Sequence, residues 1–131
     1  VIDLRRILSI FIVAAFTLAV GFATAAYAGG DVEAGKALFN NKKKGGCKVC
    51  HKTTAKKLVG PGLKDVKSRH TEGWMKKWIA DPKGMWTAGD KETEEMKVRL
   101  KRVGKKKTRM KPKGKLSGAD VDNVVAYIMT L

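Results

Sequence analysis

The residues most able to do chemistry are Cys47-Lys48-Val49-Cys50-His51. Two thiols at this spacing sit on one turn of chain, and each can add to one vinyl group along the edge of a haem. The imidazole that follows then lies over the porphyrin, directed at the iron, so Cys-x-x-Cys-His reads as a c-type attachment site. Two other chemistries use similar residues. A redox dithiol needs a strand before the first cysteine and an amphipathic helix after it; here the flanks are Lys42-Lys43-Lys44-Gly45-Gly46 and Lys52-Thr53-Thr54. Zinc needs four ligands, which Cys47, Cys50, His51 and His70 could formally supply. The separation of 19 residues between the histidines fits no compact finger. The spacing therefore predicts one haem c, covalently held through Cys47 and Cys50, with His51 on the iron.

The opposite face of the iron needs a second ligand or none. His70 and the methionines Met75, Met85, Met96, Met110 and Met129 are the candidates. Met75 and Met129 fall in helical patterns where packing accounts for them, and Met96 belongs to a weaker apolar stripe. Met110 lies in Lys107-Thr108-Arg109-Met110-Lys111-Pro112, a polar stretch with no apolar neighbour. A thioether there has no packing role, which favours Met110 as the sixth ligand. Met85, in Gly84-Met85-Trp86, shares some of that character. His70 could serve instead, giving a bis-histidine haem, or the iron could stay open.

These groups must be positioned by the rest of the chain. Asp31 caps a first helix that carries Ala34, Ala37 and Leu38 on one face and Gly35 and Phe39 on another. Gly60-Pro61-Gly62-Leu63 is a turn. Thr71 caps a second helix through Ala80, with Trp74, Met75, Trp78 and Ile79 at helical spacing, and Asp81-Pro82 ends it. Met96, Leu100 and Val103 form a weaker third pattern after Asp90. Ser117 and Asp120 form a capping box for the last helix, with Leu116 and Val121 set for a hydrophobic staple; its stripe is Val121, Val124, Val125 and Ile128. No strand-like alternation follows residue 28. The expected fold is all-α, about four short helices joined by long irregular connections that need something to anchor them. Leu58, Val59, Leu63, Trp74, Trp78 and Ile79 are the expected cover of the ring, with Trp74 or Trp78 a partner for a propionate.

These features resemble the class I (mono-haem) cytochrome c family over nearly all of residues 29–131, and they fall in the family's order. The resemblance implies that the first and last helices cross at Gly35, Phe39 and Tyr127. It also implies that the Pro61 carbonyl holds the Nδ1 proton of His51 and that Leu63 packs on the ring. The family's methionine carries over onto Met110, which is 59 residues beyond His51. Two departures stand out: Gly84 to Lys107 is unusually charged, and the net charge is high even for a basic member.

Residues 1–28 read as a signal peptide. Arg5 and Arg6 precede an apolar run, and Ala26-Tyr27-Ala28 offers a small-x-small cleavage site. The 22 uncharged residues from Ile7 to Ala28 are also long enough to span a bilayer, the alternative to cleavage being a retained membrane anchor. Export to the periplasm makes nucleic acid a poor partner for so basic a chain. The full sequence has 28 basic and 12 acidic residues; Gly29 to Leu131, one domain of 103 residues, keeps 26 and 11, a net of +15. Such a field steers encounters with negative partners, here acidic proteins or anionic membrane surfaces. The expected activity is one-electron transfer between protein partners, not enzymatic turnover. Two rival readings are a haem-bearing subunit of a larger oxidoreductase and a five-coordinate haem enzyme or gas sensor.

Overall fold

Each α-helix among the described residues begins where a short polar side chain takes a backbone amide that the first turn leaves without a partner. The computed structural model describes residues 29–131; the expected signal peptide, 1–28, lies outside the described residues. Helix α1 is Val32–Asn40, α2 Glu72–Ala80, α3 Pro82–Ala88, α4 Lys91–Arg99 and α5 Gly118–Ile128. Two short 3-10 turns, Cys47–Val49 and Val66–Ser68, lie between α1 and α2. Asp31 accepts from Ala34 N, Thr71 from Trp74 N, Asp81 from Gly84 N, Asp90 from Thr93 N and Ser117 from Asp120 N. Asp120 completes the box by accepting from Ser117 N at 2.7 Å. Each such cap is worth about 1 kcal/mol.

Among the described residues the all-α expectation holds, with one helix more than the patterns show. Asp81 and Pro82 do end α2, but they also start α3. Proline suits the first helical position, where its missing N–H would have no partner anyway. Met85 and Trp86 therefore sit on a helix and not in a loop. The weak third pattern is real as α4, but only Met96 is fully buried; Val103 lies beyond the helix and is 63% exposed.

Helices α1 and α5 cross in intimate contact. The face of α1 that meets α5 is Gly35 and Phe39, while Ala37 faces solvent. A Cβ at Gly35 would stand 2.5 Å from the Asn123 carbonyl carbon, nearer still to its oxygen, and 3.0 Å from Tyr127 Cβ. Only glycine permits this approach. Phe39 meets Tyr127 edge to face, centroids 5.4 Å apart at 65°, an arrangement worth about 0.5–1.5 kcal/mol beyond burial. Asp31 N also donates to the Asn123 side chain at 2.7 Å. Val121, Val124, Val125 and Ile128 of α5 are all buried, Val124 and Val125 completely. They form one core with Trp74, Met75, Trp78 and Ile79 of α2.

Candidate haem site

The Lys42–Lys44 run ends in Gly45 and Gly46, both left-handed (φ +82° and +63°), a region that residues with a Cβ rarely enter. This reversal delivers the chain into the Cys47–Val49 turn. Cys50 N and His51 N both donate to Cys47 O, at 3.1 and 2.9 Å, so the two thiols and the imidazole share one tight turn. The following loop folds back on it: Gly60 N donates to Cys50 O at 2.7 Å, and Leu63 N to Lys52 O at 2.9 Å. That return places Pro61 O 2.8 Å from His51 Nδ1. With Nδ1 donating to a carbonyl, Nε2 carries the free lone pair, the tautomer a metal ligand needs. A Cβ on Gly60 would stand 2.7 Å from Nδ1 and 2.8 Å from Nε2, so the ring lies flat against bare backbone. Burial pulls the His51 pKa down against the raising effect of Pro61 O, which keeps the ring neutral. Burial likewise pushes the Cys47 thiol up to about 11.

Cys47, His51, Pro61 and Leu63 line a largely apolar cleft together with Trp74, Met75, Trp78 and Ile79. Met110 opens onto the same space. It lies in the irregular segment between α4 and α5, and its Sδ is 2.8 Å from Trp78 Nε1. The cleft thus brings together seven of the eight residues singled out from the sequence. Cys50 shares the turn but does not line the cleft. The donor set fits a c-type haem: two thiols on one turn, a neutral imidazole held by its far nitrogen, and a thioether within one apolar enclosure.

Met85 lies outside this cleft, partly buried against the core on α3. His70 does line it but has both nitrogens engaged: Nδ1 with Glu92 Oε1 at 3.1 Å and Nε2 with Arg99 at 2.6 Å. Burial and the Arg99 cation lower its pKa against the pull of Glu92, so the neutral ring donates to Glu92 and accepts from Arg99. Leu58 and Val59, expected to cover the ring, are 45% and 66% exposed. The indole N–H groups are also occupied. Trp74 donates to Thr93 Oγ1 at 3.1 Å and Trp78 to Met110, so neither is a ready propionate partner.

Several contributors escaped the sequence reading. Arg69 bridges the carbonyls of Gly62, Lys64 and Asp65, stitching the loop that carries Pro61. Thr93, fully buried, accepts from Trp74 and donates to Asp90. His70, Trp74 and Trp78 stack in a row, with centroids 4.1 and 5.1 Å apart. Spacing of four gives a signal for that row; nothing local marks Thr93 or Arg69. An antiparallel bridge pairs Gly45 with Lys113 (N···O 2.8 and 3.3 Å), which sets the Lys42–Lys44 run beside the Lys111–Lys115 segment.

Crossed terminal helices, an attachment turn, a proline carbonyl on its histidine and a methionine facing the same cleft define a small haem-carrying electron-transfer protein. Residues 32–131 match the sequence model of the family described as cytochrome c. The chain belongs to that family, as a class I, mono-haem electron carrier, not an enzyme. It is 34% identical over 105 residues to cytochrome c-550 of Nitrobacter winogradskyi, an alignment covering 76% of this chain and 89% of that protein.

Proposed function

We propose that this protein is an exported cytochrome c that carries one electron at a time between protein partners, on a haem bound covalently through Cys47 and Cys50 with His51 and Met110 as axial ligands. The observation that carries the reading is the shared cleft: a carbonyl-held imidazole and a loop thioether line one apolar space. A haem so ligated supplies the Fe(III)/Fe(II) couple and, with a thioether in place of a second histidine, a raised potential. The protein's own part is to hold the ligands still and to exclude water. His51 is fixed by Pro61 O, Trp78 donates to Met110 Sδ, and the Trp74–Trp78 stack forms a rigid apolar wall. With both axial positions filled there is no place for a substrate, which separates a carrier from a gas sensor or peroxidase.

The Arg5-Arg6 and Ala26-Tyr27-Ala28 pattern supports export to the periplasm, with Gly29 as the mature N-terminus. The lysines support an acidic protein surface as docking partner: Lys42, Lys43, Lys44, Lys48, Lys52, Lys111 and Lys113 are all exposed around the attachment turn and its bridge. Charge complementarity of this kind raises encounter rates and fixes orientation.

The test is the absorption spectrum of purified holoprotein in both oxidation states, followed by acid–organic extraction. A low-spin spectrum with a weak far-red sulfur-to-iron band, no response to carbon monoxide when reduced, and colour that stays with the polypeptide are expected. Extractable haem, or a reduced form that binds carbon monoxide readily, would overturn the assignment.

A further inference from the structure

Met110 has little structure of its own: the chain from Leu100 to Leu116 contains neither helix nor strand, apart from the single bridge at Lys113. Two backbone anchors bracket it. Three residues after it, Lys113 pairs with Gly45, beside the cysteine turn. Five residues before it, Lys105 O accepts from Trp86 Nε1 at 2.8 Å. Trp86 is 5% exposed and is itself held from several sides. Lys97 Nζ donates to its carbonyl at 3.0 Å and lies 4.9 Å from its ring centroid, and Arg102 lies 6.0 Å from the same ring. Arg102 also donates to Lys107 O at 3.2 Å, closing the chain around the indole. On its other side Trp86 packs at 6.3 Å against Trp78, the residue whose N–H meets Met110 Sδ.

We infer that Trp86 is a positioning residue for Met110, an indole latch that sets how readily the thioether leaves the iron. This gives the charged stretch from Gly84 to Lys107 a role, since α3 supplies the indole while α4 and its exit supply the cations that hold it in place. A buried indole N–H loses a full hydrogen bond when the loop swings away, and burial makes an unmade bond expensive. Opening of the Met110 loop is therefore coupled to breaking the Trp86–Lys105 bond. The inference rests on Met110 being the sixth ligand, so Met110→Ala is made alongside: if the far-red band survives in that variant, the ligand assignment fails and the latch is left with nothing to position.

With that band assigned to Met110, the test is the limiting rate at which imidazole displaces the thioether in the ferric holoprotein. Trp86→Phe keeps an aromatic ring at this buried position and removes the N–H donor together with the five-membered half of the indole. The rate should rise about fivefold, the factor one ordinary hydrogen bond represents, while Val124→Ala, which lowers global stability in the α1–α5 core, should leave it within about twofold. An unchanged rate in Trp86→Phe, or an equal rise in Val124→Ala, overturns the latch. Indole labelling of the wild-type holoprotein gives a check that needs no variant. When imidazole replaces Met110, the Trp86 N–H should lose its protection from exchange while the Trp74 N–H, bonded to Thr93, keeps it. Retained protection at Trp86 would show that latch and ligand move independently.

Discussion

Replacing Gly35 by alanine should destabilise the protein even though alanine is the better helix former. The gain from alanine in a helix interior is about 1 kcal/mol. Against it stands a Cβ that would lie 2.5 Å from the Asn123 carbonyl carbon and 3.0 Å from Tyr127 Cβ. The nearest atoms are backbone of α5 and cannot swing aside, so the two helices must part by about 1 Å to restore ordinary contact. A gap of that size forfeits roughly a quarter to a half of each dispersion contact across the seam, and loosening the Phe39–Tyr127 pair costs about 1 kcal/mol more. Overpacking of this kind typically costs about 1–3 kcal/mol, so the net loss should be about 2 kcal/mol. For a domain of this size that is roughly 8–16 °C in Tm. Gly73→Ala is the matched control, because a Cβ there meets nothing within 4 Å on α2. It should be neutral or slightly stabilising. Thermal unfolding of the ferric holoprotein, followed by far-ultraviolet circular dichroism, reads both variants. If Gly35→Ala melts at or above the wild-type temperature, the close approach does not limit the packing of α1 on α5.

Met110→Ala should abolish the far-red band, lower the reduction potential and admit exogenous ligands, whereas Met85→Ala should leave all three nearly intact; the opposite pattern would move the ligand to α3. Electron transfer to the physiological partner should slow steeply as ionic strength rises from millimolar to about 0.15 M, where the screening length falls to about 8 Å. Lys48, Lys52 and Lys111 changed together to Glu should slow it at low salt without altering the spectrum; stopped-flow rates flat in salt would remove the docking role. Asp120 is held down to about 2 by the Lys44 ammonium first and then by the Ser117 N–H and hydroxyl. Because its folded pKa lies below the ordinary carboxylate value of about 3.9, its contribution is complete above about pH 4 and is lost as pH falls towards 2. Asp120→Asn should flatten the wild-type stability profile across that window in urea titrations, and a profile of unchanged slope would refute the assignment.

What the sequence determined by itself was everything governed by neighbours along the chain. Cys47, Cys50 and His51 need only one turn to converge, so their spacing already points to haem attachment. Asp31, Thr71, Ser117 and Asp120 bond to amides three positions away, and the caps formed where those residue types stand. The Gly35, Phe39 and Tyr127 crossing was legible as well, though through resemblance to a family and not from local spacing. Tertiary structure decided what depends on partners far away in the chain. Asp81-Pro82 reads as a stop from α2 and as a start only once α3 has Trp86 to bury. Leu58, Val59 and Val103 look like core by type, yet no element among the described residues covers them. The polar surroundings of Met110 favoured it over Met85 without excluding the latter; the Gly45–Lys113 bridge and the Trp78 N–H put Met110 on the cleft, and helix α3 keeps Met85 off it. His70 stood among the candidate ligands by type alone, and the fold engages both its nitrogens, with Arg99, 29 residues on, and Glu92, 22 residues on. The physical reason is the same throughout. A cap or an attachment turn is closed by bonds within a few residues, while burial and hydrogen-bond partnership across a core depend on which distant segments the fold happens to bring together.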